Sequence, residues 1–150
     1  MELISRLTAG LLLIILSPLL VCIGIANLLV QGRPIFFRQL RIGKNFKTFI
    51  IYKFRSIKNQ ASNQHAFSDG LNIQANKWGK FLRKTKLDEL PQLVNVIKGD
   101  MRFIGPRPEV PEFVNKDSFS FLNQIKPGLS GYSSILFRNE SEIWSMIDSD

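Results

Sequence analysis

The sequence predicts an α+β chain: an N-terminal membrane helix, a small β-hairpin, and amphipathic surface helices around a site. Three observations predict it. The 24 residues from Leu7 to Val30 carry no charge. Two short segments rich in aromatic and β-branched residues follow, separated by a turn signal. Two further segments then place apolar residues at helical spacing. At 150 residues the chain is long enough for one domain, and 45% apolar with 21% charged residues is a composition that builds a packed core. A single Cys excludes an internal disulfide, and one Cys with one His excludes a structural zinc site.

Charge divides the chain more sharply than composition does. Residues 1–32 hold only Glu2 and Arg6. Residues 33–86 hold 13 Lys/Arg and one acid, and residues 87–150 hold six basic and ten acidic side chains. The expected organisation is a membrane-associated segment over 1–32 and one further domain over 33–150.

The apolar run would reach ~36 Å as a straight helix, against a hydrocarbon core of ~30 Å. It is too long, and lacks a small-residue cleavage site, for an ordinary signal peptide. Ser17-Pro18 lies near its middle. Pro18 removes the N–H that would bond the carbonyl of Ile14, and Ser17 can supply a replacement donor. Each half alone is too short to cross. Arg6 precedes the run, while Arg33, Arg38 and Arg41 follow it. A helix that dips in and returns keeps all of them on one side, which the positive-inside tendency favours. The expectation is therefore a re-entrant helix broken at Ser17-Pro18, with an ordinary kinked span as the alternative.

Pro34 to Ile42 reads as a strand, Gly43-Lys44-Asn45 as a turn, and Phe46 to Ile57 as a second strand. Eight basic residues and no acid lie between Arg33 and Lys58. Beside a membrane segment, such a hairpin is expected to meet anionic lipid head groups. It carries no reading helix or base-stacking motif, so nucleic acid is not an expected partner. The amide-rich stretch 59–76, which contains His65, reads as a surface loop.

Lys77 to Lys86 places Trp78, Phe81 and Leu82 on one face, facing either the bilayer interface or the core. Leu87 to Gly99 then reads as one helix with a stripe of Leu90, Leu93, Val94 and Ile97 and a stop at Gly99. Pro91 belongs in its first turn, which puts Asp88 and Glu89 at its N-terminus. Two readings of this pair stand. One is simple capping. The other is phosphoryl chemistry, with helix N–H groups holding a phosphate, carboxylates holding a hard cation, and one carboxylate attacking phosphorus. Eighteen residues on, Gly105-Pro106-Arg107-Pro108 fixes the backbone on both sides of one guanidinium, whose fork fits phosphate oxygens. Residues 109–125 are expected to include a short helix, with Lys126-Pro127-Gly128 as its break.

The string LRKTKLDELPQLVNVIKGDMRFIGPRPE, with FFRQLRIGKNFKTFIIYKFRS before it and KPGLSGY after it, resembles the bacterial sugar transferase family. More narrowly, it is similar to the small monotopic phosphoglycosyl transferases. The resemblance runs from the apolar segment to about residue 139. It implies transfer of a phosphosugar from a UDP-sugar to a polyprenol phosphate, with release of UMP, at the cytoplasmic face of a bacterial inner membrane. It implies a re-entrant helix broken at Ser17-Pro18. Asp88 would be the nucleophile of a covalent phosphosugar intermediate, and Glu89 would support Mg²⁺. Arg107 and Arg138 would contact donor phosphate. Family members continue past the point matching Asp150, so a C-terminally shortened domain is expected. The alternative is a catalytically inactive membrane-surface protein that binds lipids or partners.

Overall fold

The computed structural model of the chain describes residues 2–57, 76–115 and 119–131. One long helix, α1 (Glu2–Gln31), lies against a small body made of the hairpin β1 (Phe36–Ile42) and β2 (Thr48–Phe54), helices α2 (Lys77–Thr85) and α3 (Leu93–Lys98), and a second strand pair. That pair is β3 (Arg102–Ile104) and β4 (Gly128–Ser130), which run parallel. The α+β expectation holds at this level.

Helix α1 continues through Pro18, where the sequence predicts a break at Ser17-Pro18. Ser17 Oγ donates to the Ile14 carbonyl at 2.7 Å, replacing the donor that Pro18 lacks. One stripe of the helix faces the body: Ala9 joins Ile51, Leu93, Val96 and Met101 in one core cluster, and Ile23 joins Phe54 and Leu82 in a second. Most of the other large apolar side chains of α1 are exposed, Ile14 and Leu29 among them. The helix is long and apolar enough to cross a membrane by length and composition. It ends at Gly32, in the left-handed conformation that suits a glycine. The Arg55 guanidinium donates to the carbonyls of Gln31 and Gly32, occupying acceptors that the helix end leaves open. Asn27 donates to the Ile35 carbonyl and Gln31 to that of Arg55, so the last two turns of α1 are bonded to the body.

The hairpin pairs Phe36 with Phe54 and Ile42 with Thr48, and a 3₁₀ turn at Lys44–Phe46 stands where the turn signal lies. Both strands are shorter than the sequence suggested. Alternation divides the hairpin into two faces. Gln39, Arg41, Ile51 and Lys53 point to one; Phe36, Arg38, Tyr52 and Phe54 point to the other.

The outer edge of β2 is closed by a side chain. Asn95, fully buried, accepts from the Tyr52 N–H and donates to the Ile50 carbonyl, tying α3 to the strand. Helix α2 begins at Asn76, whose side chain accepts from the Gly79 N–H. Of its expected apolar face, Leu82 is in the core, Trp78 is partly buried and bonded to Asn27, and Phe81 is exposed. Gly79 is required here, because a Cβ would lie 1.9 Å from the Ser56 carbonyl oxygen.

The single helix expected over Leu87–Gly99 is two pieces. Leu87–Gln92 is a 3₁₀ helix with Pro91 inside it, and α3 follows directly, capped by Gly99 in the left-handed region. The shift of helix type also shifts the buried stripe: Leu93, Asn95 and Val96 are the buried positions of α3, while Val94 is half-buried. The short helix expected in 109–125 is present as two 3₁₀ turns, Pro111–Phe113 and Ser120–Asn123.

Candidate active site

Asp88 and Glu89 sit in the first turn of the 3₁₀ helix, reached from α2 through Lys86. Lys86 adopts the left-handed conformation, unusual for a side chain with a Cβ, and the sharp turn delivers Asp88 inward. Because α3 starts only at Leu93, the acids do not crown an α-helix. The capping role and the row of helix N–H groups expected for phosphate are therefore replaced by side chains.

Those side chains are cations. Lys53, from the inner face of β2, lies 2.7 Å from Glu89 Oε1, and both are largely buried. Burial alone would push Glu89 up, but the Lys53 charge and hydrogen bond, with Lys86 and Arg107, bring it below its usual range. Lys53 is itself pushed down, by burial first, with Glu89 opposing. Asp88 behaves differently. Burial is the largest influence on it, Lys53 opposes, and neighbouring Glu89 adds to the rise, leaving Asp88 at about 6. Its Oδ1 is buried and has no hydrogen-bond partner among the described residues. A buried carboxylate oxygen without a donor is costly unless something else occupies it in function.

Arg107 is held from both sides. The Gly128 N–H donates to the Pro106 carbonyl at 2.9 Å, and Arg41 donates to the Pro108 carbonyl at 3.1 Å. The Ile42 N–H reaches the Glu109 carbonyl at 2.9 Å. Gly105 and Gly128 approach so closely that a Cβ on Gly128 would fall 2.1 Å from the Gly105 nitrogen. The prolines and this glycine contact fix the loop, while the Arg107 side chain is left exposed. It acts electrostatically on Glu89 and on Lys53. Arg41 is pushed down to about 10, by burial first and then by Arg107.

Glu89, adjacent to Asp88, feels the charge of Arg107, which places the Arg107 loop near the acidic pair. The structure adds Lys53 and Arg41, which the sequence reading did not single out. The signal for them is strand alternation: both occupy the same face as Ile51, where a solvated charge does not belong. Arg83 and Lys86 complete the ring around Asp88. Arg138 lies outside the described residues, as do His65 and 59–75 of the polar loop. Two carboxylates surrounded by five cations make a site suited to a polyanion. A hard divalent cation also fits the donors, since such an ion takes one or two carboxylates and completes its shell from water and substrate phosphate. The orphaned Asp88 Oδ1 beside Glu89 offers that ligation. Among the described residues no group of three potential ligands exists that would form a closed metal cage.

Comparison with known proteins meets this geometry. The family described as bacterial sugar transferase matches residues 2–150. The chain is 39% identical over 127 residues to the UDP-N-acetylgalactosamine-undecaprenyl-phosphate N-acetylgalactosaminephosphotransferase of Aeromonas hydrophila, covering 80% of this chain and 30% of the relative. It is 36% identical over 133 residues to the UDP-glucose:undecaprenyl-phosphate glucose-1-phosphate transferase of Escherichia coli, covering 85% and 29%. It is 33% identical over 136 residues to the sugar transferase EpsL of Bacillus subtilis, covering 89% and 67%. The chain spans about a third of the first two relatives and two thirds of the third. With the family matched along its whole described length and the acidic pair and Arg107 loop assembled, this chain belongs to the bacterial sugar transferase family.

Proposed function

We propose that the chain transfers a phosphosugar from a UDP-sugar to a polyprenol phosphate, releasing UMP, and so starts bacterial glycan assembly. The names of the relatives supply the donor and acceptor classes. One observation carries the chemistry: Asp88 is a buried carboxylate with an unpartnered oxygen, ringed by cations. Phosphoryl transfer needs positioning and charge neutralisation above all. An Asp88 oxygen bonds to the phosphorus that bears the sugar as the bond from that phosphorus to UMP breaks, and the electron pair leaves with UMP. An oxygen of the lipid phosphate then attacks the same phosphorus, the aspartyl bond breaks, and Asp88 regains its carboxylate. Arg107 holds donor phosphate, and Arg138 is assigned the same role from the family resemblance alone. Lys53 keeps Glu89 ionised and oriented. Mg²⁺ held by Glu89 and Asp88 would neutralise donor phosphate charge.

Helix α1 is read as re-entrant, with the catalytic body on the cytoplasmic face against anionic lipid. Support comes from its two ends. Glu2 meets Lys126 at 3.0 Å and Arg102 at 3.4 Å, while Gln31 bonds the Arg55 carbonyl. A helix standing across the bilayer would place one of those ends, with the body residues bonded to it, on the far side of ~30 Å of hydrocarbon.

The test is UMP release from a panel of UDP-sugars with Mg²⁺ and undecaprenyl phosphate, comparing the parent chain with Asp88→Asn. Release by the parent and none by the variant is expected, together with a phosphosugar mass increment on Asp88 when donor alone is supplied. Undiminished release by Asp88→Asn would overturn the covalent route. No release by the parent with any donor favours the inactive lipid- or partner-binding reading.

A further inference from the structure

The hairpin has a second face, opposite the one that carries Lys53. Phe36, Arg38, Tyr52 and Phe54 lie on it, with Arg38 directly across from Tyr52. Beneath it runs a groove of about 540 Å³ between this face and α1, walled by Gly24 and Leu28 of the helix, by Tyr52 and Phe54 of β2, and by Pro91 and Val94. The walls are almost wholly apolar. Its rim is not. The Arg38 guanidinium lies 5.8 Å from the centre of the Tyr52 ring, and Lys98 Nζ lies 4.8 Å from it. Lys98 also donates to the Tyr52 hydroxyl at 3.2 Å, which leaves that hydroxyl's proton for an outside acceptor. Among the described residues neither cation pairs with a carboxylate. An apolar slot with two cations and a hydroxyl at its mouth has the shape and charge of an amphiphile with one anionic head.

We propose that this groove holds one anionic glycerophospholipid, an acyl chain between α1 and β2 and its phosphate between Arg38 and Lys98. The inference rests on reading α1 as embedded at the membrane surface. Strand alternation argues against the acceptor lipid as occupant. Lys53, the residue after Tyr52, points to Glu89 on the opposite face. A phosphate seated at Arg38 and Lys98 is on the opposite face of the strands from Lys53 and the Glu89 carboxylate it holds. The bound phospholipid instead anchors the hairpin at a fixed depth, with exposed Phe36, Leu40 and Ile50 continuing the apolar surface on the same face.

The test is lipid retention by the full chain, measured by native mass spectrometry with phosphatidylglycerol against phosphatidylcholine. The parent retains one phosphatidylglycerol in preference. Arg38→Gln with Lys98→Gln weakens this about thirtyfold, from roughly 1 kcal/mol for each cation at an anionic head group. Gly24→Leu abolishes retention with both cations intact, because its side chain grows into the groove; a Cβ at Gly24 meets only Phe54 and Ile35, at 3.9 and 4.0 Å. If a thermal melt shows the double variant misfolded, Gly24→Leu decides. Equal retention of the two lipids, or undiminished retention by the folded variants, overturns the site. One-for-one displacement by undecaprenyl phosphate also overturns it, by making the acceptor the occupant. Flotation with phosphatidylglycerol vesicles separates the underlying reading: a parent that fails to float removes the membrane-surface placement, whereas a floating variant that has lost selective retention isolates the groove.

Discussion

Lys53 Nζ lies 2.7 Å from Glu89 Oε1, while Asp88 Oδ1, on the adjacent residue, has no partner among the described residues. One ammonium thus divides two neighbouring acids into an ion-paired one and a free one. Lys53→Met leaves Glu89 buried without its cation. The expected loss of stability falls between the ~1 kcal/mol of an exposed pair and the ~3–5 kcal/mol of a buried one, read by urea denaturation. Lys53 is also the largest influence holding Asp88 down, so its removal moves the acidic limb of the activity profile to higher pH. An unmoved limb would show that Lys53 acts on packing alone.

Asp88 at about 6 makes a pH prediction with opposite consequences for activity and stability. As a nucleophile it must be ionised, so UMP release falls as pH drops through about 6. Folding responds in reverse. A carboxyl whose folded pKa is raised binds its proton more tightly in the native state. Its favourable contribution is complete below the ordinary carboxylate value of 3.8 and is lost as pH rises through about 6. At pH 7 the ionised carboxylate is thus a burden of up to about 3 kcal/mol, at 1.36 kcal/mol per unit. Asp88→Asn is expected to be inactive yet more stable than the parent at pH 7, with the gain shrinking toward pH 4. A variant less stable at pH 7 would contradict the burial argument.

The acids and the Arg107 loop were legible because each carries a local rule: a Pro-marked helix start for one, flanking prolines for the other. Lys53 was not read because FKTFIIYKFRSI looks like a basic strand facing solvent until its alternation is laid against Ile51. The 3₁₀ start at Leu87–Gln92 was misread because the spacing of Leu90, Leu93, Val94 and Ile97 fits an α-helix throughout. The β3–β4 pair could not be read at all. Each strand has three residues, and their pairing is set by the close contact of Gly105 with Gly128, far apart in sequence. Tertiary contact decided it, not propensity.

Arg107 and Arg41 are both guanidinium groups of the site, but they fail differently. Arg107 is exposed and its backbone is held without its side chain. Arg107→Lys keeps charge but loses the planar fork, so kcat/KM for the donor falls roughly 10- to 100-fold, equivalent to charged hydrogen bonds of ~1.5–3 kcal/mol, with an unchanged melt. Arg41 is buried and bonded to the Pro108 carbonyl and the Gln39 side chain. Arg41→Met lowers the melting temperature and the donor turnover together, because the loop loses its inner tie. Identical behaviour of the two variants would remove the distinction between phosphate contact and loop support.

Ser17 and Pro18 set the last prediction. The Ser17 hydroxyl donates to the Ile14 carbonyl, the acceptor that Pro18, having no N–H, leaves open. Pro18→Leu restores the backbone donor and removes a helix-interior proline, a change worth ~3 kcal/mol toward an uninterrupted apolar helix. That strengthens the crossing form at the expense of the one that returns Glu2 to Lys126 and Arg102. In a Cys22→Ser background, Leu3→Cys and Lys44→Cys are expected to react with a membrane-impermeant thiol reagent from the same side of inside-out vesicles. Adding Pro18→Leu is expected to protect the first position and leave the second reactive. Opposite-sided labelling already in the Pro18 parent would make α1 a span, and the contacts of Glu2 with the catalytic body could not then persist in the membrane.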